Sequence, residues 1–134
     1  MGGVFDPIHY GHLFTAEEAR IEFKLDEVIF VPCREPVHKR ENSISAPEHR
    51  YLMTVLAISN NPFFEVSKIE LNRPGPSYSI DTVKEFLRKY NYENYFTFID
   101  CCDGCLISTR IPIRLSRSVC ADDIVVVCLC QFEN

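Results

Sequence analysis

From Leu13 onward apolar residues recur at helical spacing, and the run over residues 13–24 predicts an amphipathic helix that opens directly after a glycine-rich stretch. The following Glu27-Val28-Ile29-Phe30-Val31-Pro32 is short, β-branched and continuously apolar, the pattern of a buried strand, and Pro32 closes it. A polar, proline-containing loop then leads to Ser45. Pro47 opens a second helix, since proline is tolerated in a first helical turn. Tyr51, Leu52, Val55, Leu56 and Ile58 give that helix an apolar stripe, and Asn60-Asn61-Pro62 stops it. Residues 64–71 alternate enough to predict a strand. After the turn Arg73-Pro74-Gly75-Pro76, Ser79 is a candidate N-cap, with Asp81 in the first turn, for a helix carrying Ile80, Val83, Phe86 and Leu87. Residues 95–99 predict a further strand. Strands alternating with helices in this way predict an α/β fold built on a parallel sheet with crossover helices.

Composition narrows the picture. A chain of 134 residues is enough for one domain with a real core. With 46% hydrophobic residues and a formal charge of −5, it is neither a disordered tail nor a basic nucleic-acid binder, and its apolar runs are too short to cross a bilayer. The N-terminus has no charged segment followed by an apolar one, so a reducing cytoplasm is the expected location and the cysteines are expected to be thiols. Neither a nucleic acid nor a membrane is an expected partner; oligomeric state is not readable from the chain.

The chemistry concentrates in Gly2-Gly3-Val4-Phe5-Asp6-Pro7-Ile8-His9-Tyr10-Gly11-His12, which separates the expected first-strand position from the first helix. Amide N–H groups at a helix start lack intrahelical partners and carry partial positive charge, so an anion satisfies them, and glycines let its oxygens approach. Two histidines three residues apart add donors. The plainer reading is a helix capped by a loop histidine, with the glycines serving turn geometry alone.

This segment resembles the His-x-Gly-His loop of the nucleotidyltransferase superfamily, and most closely that of bacterial nicotinate-nucleotide adenylyltransferases, which make deamido-NAD from ATP and nicotinate mononucleotide. Three more stretches carry the resemblance. Pro32-Cys33-Arg34-Glu35-Pro36-Val37-His38-Lys39 is similar to the family's Pro-x-x-x-Pro-x-His-Lys loop, whose cation faces the phosphates; by itself it also reads as a solvated loop. Ala46-Pro47-Glu48-His49-Arg50-Tyr51-Leu52-Met53 resembles the family's second-helix start, its apolar members reading as core and only His49 or Arg50 as able to face a site. Pro76-Ser77-Tyr78-Ser79 resembles the loop that holds the pyridine carboxylate, though Ser79 reads equally well as a helix cap.

The resemblance implies a Rossmann-like fold and direct adenylyl transfer: the mononucleotide's phosphate attacks the α-phosphorus of ATP in line and pyrophosphate leaves, with Mg²⁺ carried by the ATP phosphates. It implies His9, His12 and Lys39 as catalytic residues, Gly2, Gly3, Phe5, Gly11 and Asp103 around ATP, and Ser77, Tyr78 and Ser79 around the mononucleotide. The alternatives are an inactive, weakly nucleotide-binding fragment of that family, or a related enzyme such as a pantetheine-phosphate adenylyltransferase or a cytidylyltransferase.

Two departures qualify it. The family places an apolar strand before the paired glycines, whereas this chain begins Met1-Gly2-Gly3, so the first, central strand is expected to be missing: the chain starts upstream, or the loop has lost its support. Beyond Ile99 six of the seven cysteines appear and helical periodicity fades, so residues 1–99 read as a partial nucleotidyltransferase domain and 100–134 as a divergent or shortened continuation. There Cys101-Cys102-Asp103 replaces a Gly-x-Asp turn, and Arg110 stands where the family has a stacking tryptophan. Cys102-Asp103-Gly104-Cys105 and Cys128-Leu129-Cys130 have the form of metal ligands, but the spacing is irregular and Val125-Val126-Val127 reads as a buried strand, so no metal site is assigned; a change of reading frame after about residue 99 is the third account.

Overall fold

The computed structural model describes residues 1–22, 24–36, 44–90, 96–101, 115–121 and 124–129. Its elements run β1 (Gly2–Gly3), α1 (Tyr10–Glu22), β2 (Val28–Pro32), α2 (Pro47–Ile58), β3 (Phe64–Val66), α3 (Ser79–Tyr90), β4 (Phe96–Cys101), β5 (Leu115–Ala121) and β6 (Ile124–Leu129). They form one sheet in the order β3-β2-β1-β4-β6-β5. The pairs β3–β2, β2–β1 and β1–β4 are parallel, as the alternating pattern predicts, while β6 lies antiparallel to both β4 and β5. The chain therefore has the expected α/β architecture, with an antiparallel hairpin at one edge.

The central strand is present, contrary to expectation, because the paired glycines themselves form it. Gly2 pairs with Val31 and Asp100, and Gly3 with Pro32 and Cys101. Parallel ladders use evenly spaced bonds, so three residues suffice to stitch the edge of β2: Ile29 O accepts the Met1 ammonium, Met1 O accepts the Val31 N–H and Gly3 O the Cys33 N–H. Met1 is buried and joins Phe5, Ala16, Ala19, Val28, Phe30 and Ile58 in the core. Each large apolar side chain there contributes about 1.5–3 kcal/mol by leaving water.

Two other elements depart from the periodicity. The strand expected over residues 64–71 ends at Val66, because Ser67 Oγ accepts the Ile69 N–H and turns the chain, after which Asn72 N–H bonds Lys68 O. In α2 the buried positions are Arg50, Thr54 and Ile58, while Leu52 and Leu56 are exposed. Of the expected apolar stripe Ile58 is core and Tyr51 and Val55 are half-buried, so the helix is turned from the expected orientation. Arg50 causes this: its guanidinium finds carbonyl partners inside, and the i, i+4, i+8 row it heads follows it inward. Helix α2 does begin at Pro47, and its end is marked by Ser59, whose hydroxyl donates to Leu56 O, and by Asn61, whose side chain accepts the Phe63 N–H.

A candidate phosphate site at the start of the first helix

In an open sheet ordered 3-2-1-4, chain connections from β1 and β4 leave in opposite directions, and ligands bind in the crevice beyond the carboxyl ends of those strands. Residues 4–9 leave β1 at that point, next to the end of β4 at Cys101.

Helix α1 starts three residues before the periodicity suggests, at Tyr10, because His9 caps it. His9 O accepts the N–H groups of His12 and Leu13, and His9 Nδ1 accepts the Gly11 N–H at 3.2 Å. In return the His9 N–H donates to His12 Nδ1 at 3.1 Å. This is the reciprocal arrangement of a capping box with imidazoles in place of hydroxyl and carboxylate. The two rings lie 3.8 Å apart between centroids, tilted by 37°. A neutral imidazole whose Nδ1 accepts an amide proton carries its own proton on Nε2. Each ring is therefore fixed as an Nε2–H donor.

The cap changes the expected chemistry. The Gly11 and His12 amides are already bonded to His9, so the groups at the exposed face of the cap that can meet an anion are the His9 imidazole and the amide of the exposed Tyr10. Gly11 is needed for closeness, since a Cβ there would lie 3.0 Å from the His9 ring. Gly3 is needed for the same reason: its Cβ would lie 2.8 Å from Phe5 Cε1.

Phe5, expected beside the nucleotide, is instead core. It is 2% exposed, has φ of 51°, meets the His12 ring edge-on at 5.1 Å and packs on Phe30 at 5.9 Å. Its contribution to a site is to orient His12, which is itself buried.

The loop containing Ser77, Tyr78 and Ser79 is stapled to the exit of β2. Ser77 Oγ accepts the Arg34 N–H at 3.0 Å, the Ser77 N–H donates to Glu35 O at 2.9 Å, and Pro36 and Ser77 form a parallel bridge. Tyr78 is half exposed. Ser79 is not the N-cap: Tyr78 O accepts the N–H groups of Asp81 and Thr82, which puts the cap at Tyr78 and Ser79 one residue inside α3. Behind this loop the Thr82 hydroxyl accepts from Arg73 and donates to the buried Glu70 carboxylate. His38, Lys39, Asp103, Arg110 and the Cys102 to Cys105 pair lie outside the described residues, and among the described residues no group of His, Cys, Asp and Glu side chains could hold a metal ion.

Arg50 is what the sequence pattern understates. It is 1% exposed, and its guanidinium donates to Ser45 O at 2.9 Å, Val4 O at 2.7 Å, Arg34 O at 3.0 Å and, more distantly, Cys33 Sγ at 3.8 Å. Expected as one of two residues able to face a site, it is instead buried against the carbonyls of Val4 and Arg34. Through it the histidine loop at Val4 is joined to Arg34, and through Arg34 to Ser77. Asp6 adds a parallel tie by accepting the Ser45 N–H at 2.8 Å. His49, the other residue of that pair, is exposed. The signal for Arg50 was available only as a row of i, i+4, i+8 positions with Thr54 and Ile58, which no apolar scale selects.

A parallel sheet with a switch point between β1 and β4, and a histidine-capped helix starting there, defines the class. The chain belongs to the cytidylyltransferase-like family, whose model matches residues 1–108. Within that family it is similar to proteins named probable nicotinate-nucleotide adenylyltransferase: that of Thermoanaerobacter sp. (strain X514), 57% identical over 79% of this chain and 50% of the relative, that of Moorella thermoacetica, 55% identical over 79% and 49%, and that of Streptomyces coelicolor, 50% identical over 78% and 55%. The resemblance drawn from the motifs is borne out. The chain spans about half the length of the curated relatives it matches. No helix among the described residues is long and apolar enough to cross a membrane.

Proposed function

We propose that this protein transfers an adenylyl group from ATP to nicotinate mononucleotide, giving deamido-NAD and pyrophosphate. The observation that carries this reading is the imidazole pair at the switch point, each ring held as an Nε2–H donor by an amide bond to its Nδ1. Relatives half or more identical over most of the matched region carry names for this activity.

In-line transfer needs no covalent intermediate. The mononucleotide phosphate oxygen forms a bond to the α-phosphorus as the bond to the pyrophosphate oxygen breaks, so catalysis consists of holding the two reactants close and of meeting charge with fixed donors. His9 and His12 supply those donors, and the family resemblance adds Lys39 as a cation. Gly2, Gly3 and Gly11 keep the backbone and the His9 ring close, and the resemblance assigns Asp103 to the adenosine. Ser77, Tyr78 and Ser79 take the mononucleotide: Ser77 still has its hydroxyl proton to give, and the half-exposed Tyr78 ring is accessible to a base. Imidazole and amide N–H groups bind oxyanions and not cations, so this donor set fits Mg²⁺ that arrives on the ATP phosphates and supplies charge neutralisation there, held by nucleotide oxygens and water.

Pyrophosphate release tests the proposal, with ATP plus nicotinate mononucleotide run beside ATP alone, ATP plus nicotinamide mononucleotide, and ATP plus phosphopantetheine. Release dependent on nicotinate mononucleotide is expected. Release only with phosphopantetheine reassigns the acceptor. A folded chain that binds ATP but releases nothing supports the second reading, a binding fragment.

A further inference from the structure

Among the described residues Arg50 has no acidic partner within ion-pair distance. Its neighbours are three backbone carbonyls and a thiol, so one full positive charge is buried beneath the loop that carries His9 and His12 without a counter-ion among the described residues. Buried charges are ordinarily paired. Here the carbonyl of Val4, two residues from Gly2 and at the root of the histidine loop, takes the shortest of the contacts, and the carbonyl of Arg34 takes another at the root of the loop leading to Lys39. Both roots are thereby fixed by one planar group, which a single ammonium cannot reproduce. A charge in this position is screened little by salt, because water does not reach it.

We infer that Arg50 is a positioning residue for polyphosphate: its guanidinium clamps the two loop roots together from below, and its unneutralised charge finds its counter-ion in the polyphosphate bound above. The inference rests on the reading of the histidine loop as a phosphate site, and it assigns Arg50 no contact with the ligand. The charge acts through the field and the fork through the loops. These two parts separate in the variants Arg50→Met, which removes both, and Arg50→Lys, which keeps the charge.

The test uses the full chain with inorganic tripolyphosphate as probe, measuring affinity by calorimetry and the imidazole and guanidinium resonances by NMR. Arg50→Met is expected to bind roughly tenfold more weakly than the parent protein, the effect of one unit charge about 10 Å away at an effective dielectric of about 20. Arg50→Lys is expected to bind within about threefold of the parent, since the charge is retained, but with displaced His9 and His12 resonances even without ligand, since the fork is lost. A residue that merely supported the fold would lower the melting temperature of both variants and leave the affinity of the folded protein unchanged; that result overturns the inference and leaves the phosphate reading intact. If the parent protein itself does not bind tripolyphosphate, the phosphate reading fails and the inference with it. Should Arg50→Met not fold, the parent protein decides: the Arg50 Nε–H resonance shifts on addition of tripolyphosphate if the charge is coupled to the site, and an unmoved resonance overturns the inference.

Discussion

His9 and His12 each have two tasks. Their Nδ1 atoms take the amide bonds at the start of α1, and the proposed function draws on their Nε2–H groups, so substitution at either position is expected to disturb structure and chemistry together. The two tasks part at position 9. Asparagine is among the best N-cap residues, and its side-chain oxygen can accept the Gly11 N–H as Nδ1 does, yet it has nothing in the place of Nε2. We predict that His9→Asn retains the helix content seen by circular dichroism and the melting temperature to within a few degrees while losing rate. His12→Ala is predicted to lower turnover about a hundredfold or more, in line with the loss of one preorganised donor worth about 2.7–4 kcal/mol; pyrophosphate release under saturating substrates measures both. The histidines were legible in the sequence because two imidazoles beside paired glycines are an uncommon combination. Phe5 was not, because an aromatic residue in a glycine loop reads the same whether its ring faces the ligand or, as here, turns back onto Phe30 and His12.

At the level of elements, periodicity located the three helices and the strands β2, β3 and β4 but misjudged how α2 is turned. A stripe of leucine and valine outweighs one arginine on any hydropathy scale; only the carbonyls of Val4, Arg34 and Ser45, supplied by three separate segments, make Arg50 the better interior residue. The two faces give opposite expectations. Leu56→Lys, on the exposed side, should change unfolding free energy by no more than about 0.5 kcal/mol. Thr54→Lys, on the buried side, should cost about 3 kcal/mol or more by leaving an unpaired charge inside. Denaturant titration of both variants checks the face directly. Helix α1 offers a pH test. The Arg20 guanidinium donates twice to Glu17, at 2.6 and 3.0 Å, Asn61 adds a third bond, and together they hold the Glu17 carboxyl below its ordinary value of 4.5. A lowered carboxyl contributes stability that is complete above pH 4.5 and is lost as pH falls through the folded value. Because the pair is largely in water, the effect is small and weakened by salt. The melting temperature of Glu17→Gln should therefore lie slightly below that of the parent protein at pH 7, the gap closing in acid and in high salt.

For the whole molecule, the parallel topology followed from the alternation of strands and helices, and the antiparallel placement of β6 did not, because nothing in Ile124–Leu129 distinguishes the two directions. Nor did the sequence reveal that Met1 to Gly3 can hold the centre of the sheet: strand propensity gives glycine no weight, whereas the ladder uses only its backbone. What unites the sheet with the site is the connection Val4–Arg50–Arg34–Ser77. Ser77→Ala removes its last link and leaves the partly buried Arg34 N–H without that acceptor. We predict a loss of about 1 kcal/mol in stability, with KM rising for the mononucleotide more than for ATP, as read from initial rates.

The same connection has a consequence for how the molecule breathes. Segments bonded in series open together, so the amides of Cys33 and Arg34 and that of Ser77, from two separate stretches of chain, should exchange with deuterium at closely similar rates. Nucleotide arriving on the histidine side should then slow the exchange of the Ser77 amide, on the far side of the crevice, before any mononucleotide is present.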